Sequence, residues 1–269
     1  EETFRRKQFA EYKITRKPMP DDLPPQIDRI LQIVRAIGVP VLEAEGHEAD
    51  DILATAVERL AGPDLQVVLV SRDKDLDQLL GPYAVMYDPM KDEWIDAETL
   101  AAEKGYRPEQ AVEALTLMGD NTDNVPGVPG VGPKTAAKLI GHYGSAAAAV
   151  EHADELSPKL GARVKAFAEQ LPVTRELVTL RRDVPVPLDL AAMAADNVRL
   201  GRARGLFEEL GFNRLLDRLG QTDATPGDEG AENPGAASAM VREAGETEPA
   251  AEPPAQAGPT TAGDFAYRC

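Results

Sequence analysis

Two hydrophobic rhythms divide the chain. Up to residue 95 short apolar runs alternate with helical spacing, and beyond it the spacing is helical throughout. Ile27, Ile30, Leu31, Val34 and Ile37 recur three and four residues apart, which predicts an amphipathic helix with Asp21 or Asp22 as its cap and Gly38 as its stop. Val39 to Leu42 predicts a short strand. A second helix opens at Gly46–Asp51 and continues through Ile52, Leu53, Ala56, Val57 and Leu60. Gln66 to Ser71, QVVLVS, is an unbroken apolar run between turn signals, the pattern of a buried central strand in a parallel sheet. Leu76, Leu79 and Leu80 start a further helix, and Tyr83–Tyr87 and Glu93–Ile95 predict strands around a turn at Asp88-Pro89. From Asp96 the pattern predicts helices over 96–104, 108–118, 133–142, 145–151, 157–169, 171–180 and 199–210. This order predicts an α/β domain over 1–95 and a helical region over 96–220. After Gly220 the composition turns to Ala, Pro, Gly, Glu and Thr, which predicts a disordered linker over 221–269, with Phe265 and Tyr267 opening a next domain.

Charge complicates the picture. The formal net charge is −17, the wrong sign for a simple nucleic-acid binder. The average hides a patch: residues 4–17 hold six bases (Arg5, Arg6, Lys7, Lys13, Arg16, Lys17) against one acid, Glu11. Phe4, Phe9 and Tyr12 are interleaved with them. Two readings stand level. Rings stack on bases while Lys and Arg meet phosphates, or the stretch is an amphipathic helix with Phe9 and Tyr12 packed inside. The longest apolar runs, such as Val67–Val70, are too short to cross a membrane. The single cysteine, Cys269, ends the chain and forms no internal disulfide, which fits a reducing cytoplasm. The opening at Glu1, without an initiator methionine, reads like the middle of a domain and predicts a fragment.

Acidic clusters carry the candidate chemistry. Glu48-Ala49-Asp50-Asp51 stands at a predicted helix start, where first-turn acids are ordinary for dipole reasons. Three acids in four positions nevertheless repel and need compensation. Asp73-Lys74-Asp75 follows the predicted strand at once, where open α/β sheets place their sites. Asp120 and Asp123 open a third cluster, GDNTDNVPGVPGVGPKT. Its Gly127, Gly130 and Gly132 predict a tight hairpin running into a helix near Lys134, with unpaired N–H groups suited to phosphate. The bland reading is a Gly/Pro loop with solvated acids. Clustered oxygen donors suit Mg²⁺ or Mn²⁺, and the absence of a Cys/His cluster argues against Zn²⁺. His47, His142 and His152 are scattered, and no Ser, His or Cys is arranged for covalent catalysis.

The series TFR…YK, GHEADD, SRDKD and GDNTDNVPGVPGVGPKTA resembles the flap endonuclease family, in the form of the 5′-to-3′ exonuclease domain of bacterial DNA polymerase I. The resemblance runs from Glu1 to about Gly220. It implies a parallel-sheet α/β core of flap-endonuclease, or PIN-like, type, followed by a helix-hairpin-helix clamp within 111–142. It implies a structure-specific 5′ nuclease that holds two Mg²⁺ ions, with Mn²⁺ as substitute, through Glu48, Asp50, Asp51, Asp73, Asp75, Asp120 and Asp123. Lys13 matches the catalytic lysine, and Arg5 and Tyr12 match residues near the scissile end. Arg16, Gly127, Gly130, Gly132, Lys134 and Thr135 complete the DNA contacts, with K⁺ at the hairpin carbonyls. The implied substrates are DNA with a 5′ flap or nick, and RNA primers. The implied setting is a monomer linked to polymerase domains in the bacterial cytoplasm. The family's two further aspartates, on earlier strands, have no counterpart in this sequence. The alternative reading is a non-catalytic branched-DNA-binding module.

Overall fold

The computed structural model describes residues 2–223. They form two compact units, one ending at Arg199 and the other beginning at Leu200. The first unit opens with a short helix, α1 (Phe4–Gln8), and then α2 (Leu23–Ala36) and α3 (Ala49–Leu60). α2 bears the predicted periodicity. Pro24 and Pro25 sit in its first turn, where a missing N–H is harmless. Asp22 holds the cap position but its side chain makes no capping bond, so the predicted acidic cap does not form. Gly38, at φ +89°, ends the helix as predicted.

The sheet is small and mixed. β1 (Val67–Val70) runs parallel to β2 (Ala84–Asp88), and β3 (Glu93–Ile95) pairs antiparallel to β2. Two expectations are corrected here. Among the described residues β1 is an edge strand, not a central one: Leu69 is buried, whereas Val68 and Val70 are 39% and 65% exposed. Val39–Leu42 forms no strand and is unpaired among the described residues. Pro40 stands inside that run and removes an N–H that a ladder would need. The predicted helix after β1 forms as a tighter 3₁₀ helix, Lys74–Leu79, capped by the Asp73 carboxylate, which accepts from the Asp75 N–H at 3.0 Å.

The rest of the first unit is helical: α4 (Ala97–Lys104), α5 (Pro108–Met118), α6 (Pro133–Tyr143), α7 (Ala146–Glu151), α8 (Pro158–Phe167) and α9 (Leu171–Val178). These follow the predicted spans closely. α5 is the central rod and packs on α6, α7, α9 and the 3₁₀ helix. Its Ala111, Ala114 and Leu117 join Leu76, Met86, Leu100, Val128 and Ile140 in the main core. On its other side Leu115 packs with Tyr12, Val125, Leu177 and Val178. That second cluster bears out the inward packing of Phe9 and Tyr12, but not the amphipathic helix predicted to carry them, since α1 ends at Gln8. Tyr12 is 4% exposed, so its ring offers no free face for a base, and the predicted stacking role is corrected to packing.

In the second unit a 3₁₀ turn, Leu200–Ala203, precedes α10 (Arg204–Glu209) and α11 (Asn213–Asp223). α11 runs three residues past the point where composition alone predicts the end of structure. The predicted linker beyond it, with Phe265 and Tyr267, lies outside the described residues. No described helix is long and apolar enough to cross a membrane.

The glycine loop is fastened to the end of α5. Gly119 has φ +64°, and a Cβ there would lie 2.6 Å from the Gly127 nitrogen. A Cβ on Gly127 would overlap the Met118 carbonyl and the Gly119 nitrogen. The Val128 N–H then donates to the Leu117 carbonyl at 2.9 Å. By contrast a Cβ on Gly132 would meet nothing within 4 Å. Gly127→Ala should therefore cost about 1–3 kcal/mol of overpacking, while Gly132→Ala should stay within about 0.5 kcal/mol of the parent. Urea denaturation of both variants checks this. Equal stabilities would mean that the close backbone contact at Gly127 is not real.

Candidate functional site

Three segments meet at the N-terminus of α3: the turn after α1, the turn after β1 and the Gly119–Gly132 loop. Arg5 is the anchor. It is 1% exposed, and its Nη1 and Nη2 donate to Asp51 Oδ2 and Oδ1, both at 2.8 Å. Its Nε donates to the Leu177 carbonyl at 2.8 Å and Nη2 also to the Thr179 carbonyl at 3.1 Å. Asp51 accepts in addition from the Glu48 N–H at 3.0 Å and the Arg181 N–H at 2.9 Å. Burial raises the Asp51 pKa, but the Arg5 hydrogen bonds and the backbone donors outweigh it, so the pKa lies below its ordinary value. With four donors on a fully buried carboxylate, Asp51 has no lone pair free for a cation. Asp51 thus stands apart from the other acids predicted to hold metal. Arg5, predicted to stand near the reacting end, is instead a buried clamp joining α3 to the end of α9.

Around this anchor lies a charge-balanced group. Glu48 accepts from the Tyr12 hydroxyl at 2.9 Å and from Arg5 at 3.2 Å, and pairs with Lys13. Asp123 accepts from Arg16 Nε at 2.9 Å and Nη2 at 2.5 Å, and lies 3.6 Å from Lys13 Nζ. The backbone is docked as well. The Lys13 N–H donates to the Asp123 carbonyl at 2.8 Å and the Asn124 side chain to the Glu11 carbonyl at 2.9 Å. Lys13 and Asn124 both adopt the left-handed conformation, at φ +57° and +55°. Strain of this kind persists only where surrounding contacts enforce it. Lys13, Arg16, Glu48 and Asp123 are thus brought together.

A second group is short of positive charge. Asp50, Asp73, Asp75 and Asp120 act on one another, and among the described residues Lys74 is the cation in hydrogen-bond contact with them, donating to Asp120 Oδ2 at 2.8 Å. Among the described residues no donor reaches the Asp75 carboxylate. Burial, with the charges of Asp73, Asp120 and Asp50, pushes its pKa up to about 7 against the pull of Lys74. Burial and then Asp73 raise Asp50 likewise. Burial alone would raise Asp120, yet the Lys74 hydrogen bond and charge hold it below its usual range. No three described carboxylates close into a ready cation cage. The donor set nevertheless fits a divalent cation: all oxygen, deficient in positive charge, with one acid lacking any donor.

The same loop carries the hairpin. The Val131 N–H donates to the Val128 carbonyl at 3.0 Å, closing a turn with Gly130 at φ +74°. Gly132 then caps α6, with Pro133 at the first position. Gly130, Gly132 and Lys134 are exposed and Thr135 is half-buried. The N–H groups of Gly130 and Gly132 have no acceptor among the described residues. Helix N-termini with open amides bind anions. Thr174, fully buried, steadies the loop through the Pro126 carbonyl at 3.1 Å.

Family profiles match the whole of the first unit. Residues 1–105 match the 5′-3′ exonuclease, N-terminal resolvase-like domain. Residues 106–200 match the 5′-3′ exonuclease, C-terminal SAM fold.

The chain belongs to the 5′-3′ exonuclease family.

Among relatives of this chain, DNA polymerase I of Rhizobium leguminosarum is 38% identical over 220 residues, covering 81% of this chain and 22% of its own length. The thermostable DNA polymerase I of Thermus thermophilus is 36% identical over 218 residues, covering 81% of the chain and 26% of its own length. The chain thus spans about a quarter of the relatives it matches. T5 5′-exonuclease, solved with divalent metal ions (zinc), shares the fold with a TM-score of 0.59 at 23% identity, over 77% of this chain and 80% of that one. A bacteriophage T5 flap endonuclease complex with DNA and metal ions aligns at 0.57, with 23% identity over the same shares.

Several residues of this candidate site lie outside the predicted set. Lys74 was within reach, since it stands between two predicted ligands. The Arg181 N–H on Asp51 and Thr174 carried no sequence signal. Nor did the buried Asp77, which accepts from the Tyr106 hydroxyl at 2.9 Å and from Lys104 at 2.5 Å. If Arg5 is a clamp, Arg5→Met should lower stability by about 3–5 kcal/mol, because it strands a buried carboxylate. Chemical denaturation measures this, and a loss below about 1 kcal/mol would remove Arg5 from the anchor role.

Proposed function

We propose that the chain is the 5′-nuclease part of a DNA polymerase I, hydrolysing phosphodiesters at 5′ ends, flaps and nicks of DNA and in RNA primers. The observation that carries this reading is the charge-deficient group Asp50, Asp73, Asp75 and Asp120, of which Asp120 lies on the same loop as an open glycine hairpin. Residues 1–95 form the catalytic core in this reading, 96–220 the helical region with its clamp at 111–142, and 221–269 a linker towards the polymerase domains. The working state is a monomer in the bacterial cytoplasm, at the nucleoid.

Glu48, Asp50, Asp73, Asp75, Asp120 and Asp123 would hold two divalent cations, Mg²⁺ by preference for hard oxygen donors and Mn²⁺ as substitute. Such cations supply charge at the scissile phosphate and acidity to water. The protein's own residues do the rest. Lys13, already strained into place, neutralises charge developing on the phosphoryl oxygens. Arg16 and Lys134 meet backbone phosphates. The amides of Gly130 and Gly132 and the Thr135 hydroxyl grip the duplex without reading bases, with K⁺ at the hairpin carbonyls, so selectivity is for structure rather than sequence.

The test uses the polymerase-length protein with a labelled 5′-flap duplex. Asp75→Asn should abolish cleavage in Mg²⁺ while binding, measured in Ca²⁺, stays near the parent's. Lys13→Ala should lower the single-turnover rate on the order of 10²–10³-fold and weaken binding little. Cleavage at the parental rate by Asp75→Asn contradicts the metal assignment. A parent that binds flaps tightly yet neither cleaves nor takes up divalent cations is the binding module instead.

A further inference from the structure

Lys74 is an odd residue to find in a cation site. It opens the 3₁₀ helix between Asp73 and Asp75, and its ammonium crosses to the Asp120 loop, 2.8 Å from Oδ2. Its place differs from those of the other cations around the carboxylates. Arg5 is sealed in and shared among Asp51, Glu48 and two carbonyls, so it cannot leave without unfolding the α3 N-terminus. Arg16 holds Asp123 through two nitrogens. Lys74 makes a single ion pair, on a side chain 40% exposed. A lysine is a point charge on a flexible four-carbon stem, with no fork to fix its direction. It also has room to go. A cavity of about 490 Å³ adjoins it, lined by Lys104, Tyr106, Gly119, Asp120 and Gly132 among others.

We infer that Lys74 is the site's exchangeable counter-ion: its ammonium balances Asp120 while no divalent cation is bound and gives up that carboxylate when one arrives. The inference rests on the metal-dependent reading above and adds to it a residue that competes with the metal. Asp120 cannot present the same oxygen to both. Without some cation the four acids would repel across a half-buried surface, so a resident ammonium keeps the loop and the 3₁₀ helix together until metal enters. The cost appears in affinity, since each binding event must first break the Lys74–Asp120 pair.

A sign follows that a supporting role would not give. An orienting lysine would weaken metal binding when removed, and a plain phosphate contact would leave it unchanged. A competitor strengthens it. The experiment measures Mn²⁺ binding to the chain by electron paramagnetic resonance of free Mn²⁺, with thermal melts in chelator and in saturating Mn²⁺. Lys74→Met should bind Mn²⁺ about two- to fivefold more tightly than the parent, the scale set by one partly exposed ion pair. It should melt lower in chelator and gain more on adding Mn²⁺. Lys74→Arg, which keeps the charge, should stay near the parental affinity. Lys74→Gln serves the same purpose should the Met variant fail to fold. Unchanged or weaker Mn²⁺ binding in the neutral variants overturns the exchange inference while leaving the metal reading intact. A parent with no saturable Mn²⁺ binding overturns the metal reading, and the inference with it.

Discussion

Mutual repulsion among carboxylates is the constraint on which this site depends. Glu48, Asp50, Asp73, Asp75 and Asp120, from three parts of the chain, act on one another, with Asp51 beside them. Asp51 is buried and saturated by Arg5 and two backbone N–H groups, which makes it part of the scaffold. Asp50, Asp73, Asp75 and Asp120 are left with one ammonium in contact. A partly buried carboxylate without a donor is costly. The rise of the Asp75 pKa to about 7 expresses that cost.

The loop from Gly119 to Thr135 joins this electrostatic arrangement to the place where a backbone could be gripped. It begins with Asp120 and Asp123 and ends at the N-terminus of α6. Its path is enforced by the close passage of Gly127 over the Met118–Gly119 peptide and by the buried Thr174. The basic turn after α1 is latched to the same loop through Lys13, Asn124 and Arg16. A cation group, a basic turn and an open hairpin are therefore positioned by one short stretch of backbone. A displacement of that stretch moves all three.

Much of this was legible in the residue pattern. The helices after Asp96 follow their predicted spans because apolar spacing, proline at first turns and glycine at ends agree there. The acidic clusters and the glycine hairpin stood out as motifs. The pattern could not separate Asp50 from Asp51, since adjacent acids at a helix start look alike until Arg5 and Arg181 are seen to claim one of them. Tyr12 among six bases suggested a stacking surface, and only the long-range packing against Leu115 and Leu177 turned it inward. Val39–Leu42 had the composition of a strand, but Pro40 and the absence of a described neighbour leave it unpaired. β1 read as central because its side chains are apolar on both faces, whereas pairing decides its position.

The account is tested most directly by locating the cations. Crystals of the chain with 5′-flap DNA and Mn²⁺, measured at the manganese absorption edge, would give anomalous peaks that mark the metal independently of activity. The account predicts peaks in coordination contact with Asp75 and Asp120 carboxylate oxygens, with none at Asp51. Peaks absent from that group, or found only at other acids with Asp75 still bare, would contradict it.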